Sequence, residues 1–208
     1  MNNMTALLAS DLSTAFETIR RFFAGRVTGN LLFIPTAAVG EGWYPIDEQD
    51  VQPFRDMGFK VTMFDASAVD AVDKDFLGQY QAIYLSGGNT FFLLKHLKRT
   101  GLFQMIRDAV VQGQIVYMGS SAGSVVATPD IGYASALDDP SLGDGDNTGF
   151  SFVNYSILPH MDHETFGEKV RQAVVEWKAT DGKVVPMNDG QVITLEGGRE
   201  TMITMAGL

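Results

Sequence analysis

The pentapeptide GSSAG at 119–123 fits G-x-S-x-G, with Ser121 at its centre. A serine hydroxyl becomes a useful nucleophile on a sharp strand-to-helix turn beside a general base, and flanking glycines let neighbouring backbone approach without a Cβ clash. The apolar run QIVYM precedes the turn and SAGSVVA follows it, the strand–turn–helix setting such a serine needs. The first N–H groups of that helix then face the reacting centre, where unpaired donors and the helix dipole stabilise an anion. A plain Gly/Ser turn with a helix cap is the competing reading of the pentapeptide alone. A second turn, YLSGGNT at 84–90, also follows an apolar strand and opens a helix. In an open α/β sheet both turns lie at the carboxyl ends of strands, where ligands bind. Gly88 and Ala122 are therefore candidate oxyanion donors through their backbone N–H groups, with Asn89 or Thr90 available as a simple helix cap.

The base must come from three histidines. His96, in LLKHLKR, reads as an exposed helix residue. His160 ends the run YSILPH, and a strand end on the loop-bearing edge can aim an imidazole at Ser121. His163 follows three residues later. With Asp162 and Glu164 the two histidines also suggest a metal cluster, but no third spaced histidine or HExxH pattern supports it. The acid that would orient the imidazole is sought between nucleophile and base, in the order Ser, acid, His. Asp130, Asp138, Asp139, Asp144 and Asp146 all qualify, and position alone does not choose among them.

The elements that must hold these groups can be read from periodicity. Helices are expected over SDLSTAFETIRRFFAG, capped by Ser10 or Ser13, and over IDEQDVQPFRDMGF, NTFFLLKHLKRTG, LFQMIRDAVVQG and ETFGEKVRQAVVEWKA. Strands are expected at 30–35, 60–65, 80–86, 114–119 and in FVNYSILPH. KVVPM, QVITLE and RETMITM read as short C-terminal strands, the last two joined by a hairpin at Gly197-Gly198. Alternation of strands and helices predicts one α/β domain over 1–208, a three-layer sandwich with a mostly parallel central sheet and a short C-terminal β extension. The stretch 138–151 is polar and Gly-rich, long enough to be a functional loop. Its DGDNTG segment alternates oxygen side chains as calcium loops do, but lacks the closing Glu, so a polar turn is the better reading.

Composition narrows the function classes. The 208 residues carry a net charge of −10, which argues against nucleic acid or an anionic membrane as partner. No cysteine is present, which excludes disulfides, thiolate catalysis and cysteine-bound zinc. The amino-terminal stretch has neither the basic nor the apolar region of a signal peptide, so the cytoplasm is the expected location.

Taken together, YLSGGNTFFLL, GSSAGS and LPH, in this order and spacing, resemble peptidase family S51, which includes the aspartyl dipeptidases (dipeptidase E) and, more distantly, the cyanophycinases. The resemblance runs from about residue 30 to 180 and implies a class I glutamine amidotransferase-like fold. It implies Ser121 as nucleophile, His160 as base, and Gly87, Gly88 and Asn89 as the glycine turn, with Gly88 donating to the oxyanion. The segment ALDDP then points to Asp138 as the third member, with Asp139 as rival. FGEKVR loosely matches the family segment that binds an acidic side chain, making Arg171 a candidate carboxylate clamp; a solvated helix arginine is its other reading.

The expectation is thus a cytoplasmic serine peptidase acting on short peptides, through an acyl-enzyme and without metal or cofactor. A preference for an amino-terminal Asp follows from the resemblance only, and the acidic 138–149 loop opposes it. The expected partner is a small peptide substrate, and the expected state a monomer or homodimer. An esterase or amidase would use the same triad. A non-catalytic binding protein of the same fold is the rival from another class. A glutamine amidotransferase needs an elbow cysteine that the chain lacks.

Overall fold

Short apolar runs closed by Gly, Pro or Asp form the strands, and amphipathic stretches form the helices that cover them. The structure, a computed structural model, describes residues 3–43, 48–178 and 182–204. In chain order the elements are β1 (Thr5–Ala9), α1 (Leu12–Phe23), β2 (Gly29–Ile34), α2 (Thr36–Gly40), α3 (Glu48–Asp56), β3 (Phe59–Met63), β4 (Ala82–Leu85), α4 (Thr90–Arg99), α5 (Leu102–Val111), β5 (Val116–Ser120), α6 (Ala122–Val125), β6 (Ser156–Leu158), α7 (Gly167–Lys178), β7 (Val184–Pro186), β8 (Gln191–Glu196) and β9 (Arg199–Thr204).

Seven strands make the main sheet in the order β3-β2-β4-β5-β1-β8-β9. The first five are parallel; β8 joins β1 antiparallel and β9 joins β8 antiparallel. Strand side chains alternate between two cores, as period-2 geometry requires. On one face Leu7, Phe33 and Tyr84 pack with Ile19 of α1 and Phe54 of α3. On the other, Leu8, Ile34, Leu85 and Tyr117 pack with Leu93 of α4, Ile106 of α5 and Val170 of α7. Helices therefore cover both faces of the mostly parallel sheet, the α/β sandwich expected from the alternation of elements.

β1 is a strand that the local pattern does not announce. Its residues TALLA have little β propensity beyond Thr5 and run straight into α1. Tertiary pairing decides: Ala9 pairs with Ser120 and Val192, so β1 lies inside the sheet between β5 and β8. The cap of α1 is Asp11, whose side chain accepts from Thr14 N, and not Ser10 or Ser13. The two C-terminal strands of the hairpin extend the sheet. KVVPM does not join them: β7 pairs with β6 in a separate parallel two-stranded ribbon. The expected start of α3 at 46 lies outside the described residues.

The stretch 138–151 is anchored at several points. A 3-10 turn spans Pro140–Leu142, Thr148 bridges Asp130, and Phe150 stacks between Phe103 and Phe152. Asp144 and Asp146 accept from backbone N–H groups two residues on, and Lys98 pairs with Asp146 at 2.8 Å. These are the contacts of a polar turn.

Candidate active site

Two glycines of GSSAG make the turn possible. A Cβ on Gly119 would lie 2.3 Å from Gly123 O, and one on Gly123 would lie 2.2 Å from Leu85 O. The close approach locks the start of α6 against the ends of β4 and β5. Ser121 then takes φ 47 and ψ −113, a conformation costing an L-residue about 1–3 kcal/mol. The surroundings hold it there. Ser121 N–H donates to Ala9 O and Ser10 O, Ser124 Oγ donates to Ala9 O and Gly119 O, and Ser120 Oγ shares a 2.7 Å hydrogen bond with Tyr84.

The second glycine turn lies against the nucleophile. A Cβ on Gly87 would meet Ser121 Cβ at 3.2 Å. Gly88 has φ +126, and a Cβ there would overlap Ala37 O at 2.2 Å, so no other residue fits. Among the described residues neither Gly88 N nor Ala122 N donates to a backbone carbonyl. Both expected oxyanion donors are therefore open.

His160 Nε2 is 2.9 Å from Ser121 Oγ. Its Nδ1 is 2.8 Å from Asp189 Oδ1. A carboxylate accepts, so Nδ1 carries the proton and Nε2 presents a lone pair to the serine hydroxyl. Both side chains are largely enclosed, with 15% and 16% of their surface exposed. His160 has φ 66, and its backbone N–H donates to Ser10 Oγ at 2.8 Å. The Ser10 hydroxyl in turn donates to Asp189 Oδ1 at 2.8 Å. Asp189 N–H donates to Asp162 Oδ1. Ser10 is fully buried just past the end of β1, beside the elbow.

The acid partner of His160 is thus Asp189, which corrects the expectation of Asp138. The reason is topological. β6 and β7 are parallel and joined through α7, so their carboxyl ends lie side by side; Met187 N–H donates to Leu158 O, and Met161 N–H to Met187 O. The residue two past Met187 therefore lands beside His160. Asp138 instead accepts from Thr90 N at the start of α4, 2.9 Å away, and Asp139 caps the following 3-10 turn. Asp189 follows His160 in the chain, so the order Ser, acid, His does not reach it. The usable signal is KVVPM: a strand after a helix in an α/β chain runs parallel to the preceding one and delivers its next acid to the same edge.

Other expected residues are placed as follows. Asn89 is fully buried; its Oδ1 caps α4 through Phe92 N, and its Nδ2 donates to Asp139 O. It supports the glycine turn from behind and does not line the cleft. Arg171 is exposed and donates to Met161 O at 2.9 Å. It too is absent from the cleft wall, where a carboxylate clamp was expected. His96 is half-buried rather than exposed, with its ring on Phe92, and burial followed by Arg99 and Lys95 lowers its pKa. His163 stacks on Phe166 and accepts from Thr165 N. Among the described residues no group of three or more His, Asp or Glu side chains is placed to hold a metal ion.

Ser121 and His160 open into a cleft of about 880 Å³. Asp11, Glu41, Asp50, Asp138 and Asp189 contribute to its wall, and no Lys or Arg lines it among the described residues. Burial raises the pKa of the Asp138 carboxyl against the opposing hydrogen bonds from Thr90, and Glu41 adds to the rise. At Asp11 burial acts the same way, but hydrogen bonds from Ser13 and Thr14 and the nearness of His160 outweigh it and lower the pKa.

The family model for peptidase family S51 matches residues 6–203. The chain belongs to peptidase family S51. The match extends past the span read from the motifs and takes in β1 and the C-terminal strands, and with them Ser10 just after β1 and Asp189 between β7 and β8. The chain is 31% identical over 192 residues to "Uncharacterized peptidase PM1590" of Pasteurella multocida (strain Pm70), covering 89% of this chain and 90% of that one. It is 30% identical over 213 residues to "Peptidase E" of Shigella flexneri, covering 97% and 87%. The crystal structure of a candidate peptidase E protein from Listeria monocytogenes EGD-e superposes with a TM-score of 0.84 at 26% identity, over 98% of this chain and 99% of that one. This S51 member is accordingly a serine-type peptidase, with the α/β fold of its structural neighbours. No described helix is long and apolar enough to cross a membrane.

Proposed function

We propose that this S51 peptidase hydrolyses short peptides through Ser121, His160 and Asp189 by way of an acyl-enzyme. The observation that carries the reading is the single imidazole bridging Ser121 Oγ and the Asp189 carboxylate. As Ser121 Oγ attacks the scissile carbonyl carbon, His160 Nε2 takes its proton and the carbonyl π pair moves to oxygen. The N–H groups of Gly88 and Ala122 receive that oxyanion; loss of one such donor costs about 3 kcal/mol in known cases. Collapse breaks the C–N bond, and the leaving amine takes the proton from His160. Water then repeats the sequence, releasing the acid and restoring Ser121. Asp189 holds the imidazole in the tautomer this needs and stabilises its charged form.

A cleft of about 880 Å³ supports short substrates. A preference for an amino-terminal Asp finds no cationic receptor among the described lining residues, so it is not part of the proposal.

The test is intact mass after incubation with a fluorophosphonate. Wild type is expected to gain one adduct, and Ser121→Ala and His160→Ala none. A folded wild type that stays unmodified sinks the reading.

A further inference from the structure

The cleft has a one-sided electrostatic character that the hydrolytic machinery does not use. The reaction employs Ser121, His160 and Asp189. The wall also holds Asp138, Glu41, Asp11 and Asp50, with no basic side chain of Lys or Arg among the described lining residues.

Asp138 is the group placed to matter most. Its carboxylate accepts from Thr90 N, which fixes the side chain at the start of α4 while leaving it on the cleft wall. Thr90 is two residues beyond Gly88, whose N–H is an oxyanion donor in the proposed mechanism. The Asp138 carboxylate therefore stands on the same wall as the site of the scissile carbonyl. In a peptide the α-nitrogen of the acyl residue lies only about 2.5 Å from that carbonyl carbon. Glu41 and His160 line the same cleft and act on the Asp138 carboxyl in opposite senses, Glu41 by repulsion and His160 by attraction. Two carboxylates that repel one another across a half-enclosed space gain most from a cation between them. Trp43, 60% exposed, also lines the cleft and offers an aromatic face. Such a face attracts a guanidinium or ammonium group.

Resting on the peptidase reading above, we propose that this cleft selects short peptides whose amino-terminal residue is cationic, Lys or Arg, with Asp138 and Glu41 facing the positive charges and Trp43 flanking the side chain. An acidic amino-terminal side chain would meet like charge from Asp138 and Glu41 and no Lys or Arg among the described lining residues. The selectivity is thus opposite in sign to that of an aspartyl dipeptidase.

The experiment compares kcat/KM for the free dipeptides Lys-Leu, Ala-Leu and Asp-Leu. It also measures how strongly each slows fluorophosphonate labelling of Ser121. Lys-Leu is expected to exceed Ala-Leu by at least tenfold in both measurements, and Asp-Leu to be the poorest. Asp138→Asn combined with Glu41→Gln is expected to bring the Lys-to-Ala ratio close to one. Asp138→Glu, which keeps the charge, is expected to retain most of it. These are ratios within one protein, so a general loss of activity or stability does not imitate them. Equal handling of the three peptides, preference for Asp-Leu, or an unchanged ratio in the double variant overturns the inference. If Ser121 labels but no dipeptide is cleaved, the peptidase reading fails, and the protection order still decides the charge preference. If Ser121 does not label, both fall.

Discussion

The Ser10 hydroxyl lies 2.8 Å from Asp189 Oδ1, although 179 positions separate the two residues in the chain. The hydroxyl oxygen also accepts the backbone N–H of His160. Ser10 thus ties the acid to the backbone of the base, and its own carbonyl receives the N–H of Ser121.

Ser10→Ala removes these hydroxyl contacts, together with a longer one to Met187 O, while leaving the three reacting groups in place. The expected outcome is a fall in kcat between about tenfold and a hundredfold, the scale on which slight misplacement of a catalytic group acts. KM is expected to change little. The check is steady-state kinetics on the best short peptide; an unaltered kcat would mean the triad is oriented without Ser10.

For Asp189→Asn the expected loss in kcat is on the order of 10⁴-fold, because an amide stabilises neither the productive tautomer nor the imidazolium. Fluorophosphonate labelling should slow in parallel. Retention of wild-type labelling would return the orienting role to another carboxylate.

Gly123→Ala places a Cβ 2.2 Å from Leu85 O, a backbone atom that cannot give way cheaply. Overpacking of this kind costs about 3 kcal/mol, which for a chain of this size lowers Tm by roughly 6–12 °C. Thermal unfolding followed by circular dichroism measures it. A Tm within about 2 °C of wild type, less than the shift expected from 1 kcal/mol, would mean the elbow and β4 are less closely apposed.

The buried carboxyl of Asp138 makes stability depend on pH. Burial first, and Glu41 after the opposing Thr90 bonds, raise its pKa in the folded protein. The native state therefore holds this proton more tightly than the unfolded chain does. The contribution to stability is full below the unfolded value and is lost as pH rises through the folded one. Asp138→Asn keeps an acceptor for Thr90 N–H and carries no charge. Its Tm is expected to exceed wild type at pH 7, with the gain disappearing towards about pH 4, the ordinary carboxylate range. Melting curves between these two values test this, and a variant less stable at pH 7 than at pH 4, relative to wild type, contradicts it.

Arg171→Ala should leave the ratio of kcat/KM for Asp-Leu and Ala-Leu unchanged, because the guanidinium is spent on Met161 O outside the cleft. A fall in the Asp-Leu value alone would bring Arg171 back as a carboxylate receptor.

Much of this protein can be read from its chain where the constraint is local. The glycines of GSSAG and SGGN declare a backbone that must turn sharply and pack closely, and the apolar runs before them declare buried strands. Ser121, Gly88, Ala122 and His160 each stand at or just past the end of such a run, which assigns them to one edge of the sheet. The candidate elbow serine, the strand-end histidine, the second glycine turn and the α/β class are legible in the residues alone, because each depends on a few adjacent positions.

The remaining features depend on contacts between distant parts of the chain. β1 is a strand only because β5 and β8 flank it, against the helix-forming character of Ala and Leu. Asp189 meets His160 only because β7 returns beside β6, and nothing in PMNDG marks that aspartate as different from Asp138 or Asp139. Asp138 became a wall of the cleft because Thr90 N–H holds it at the start of α4. Pairing across long separations sets which carboxylate reaches which partner, and local residue patterns carry little information about that pairing.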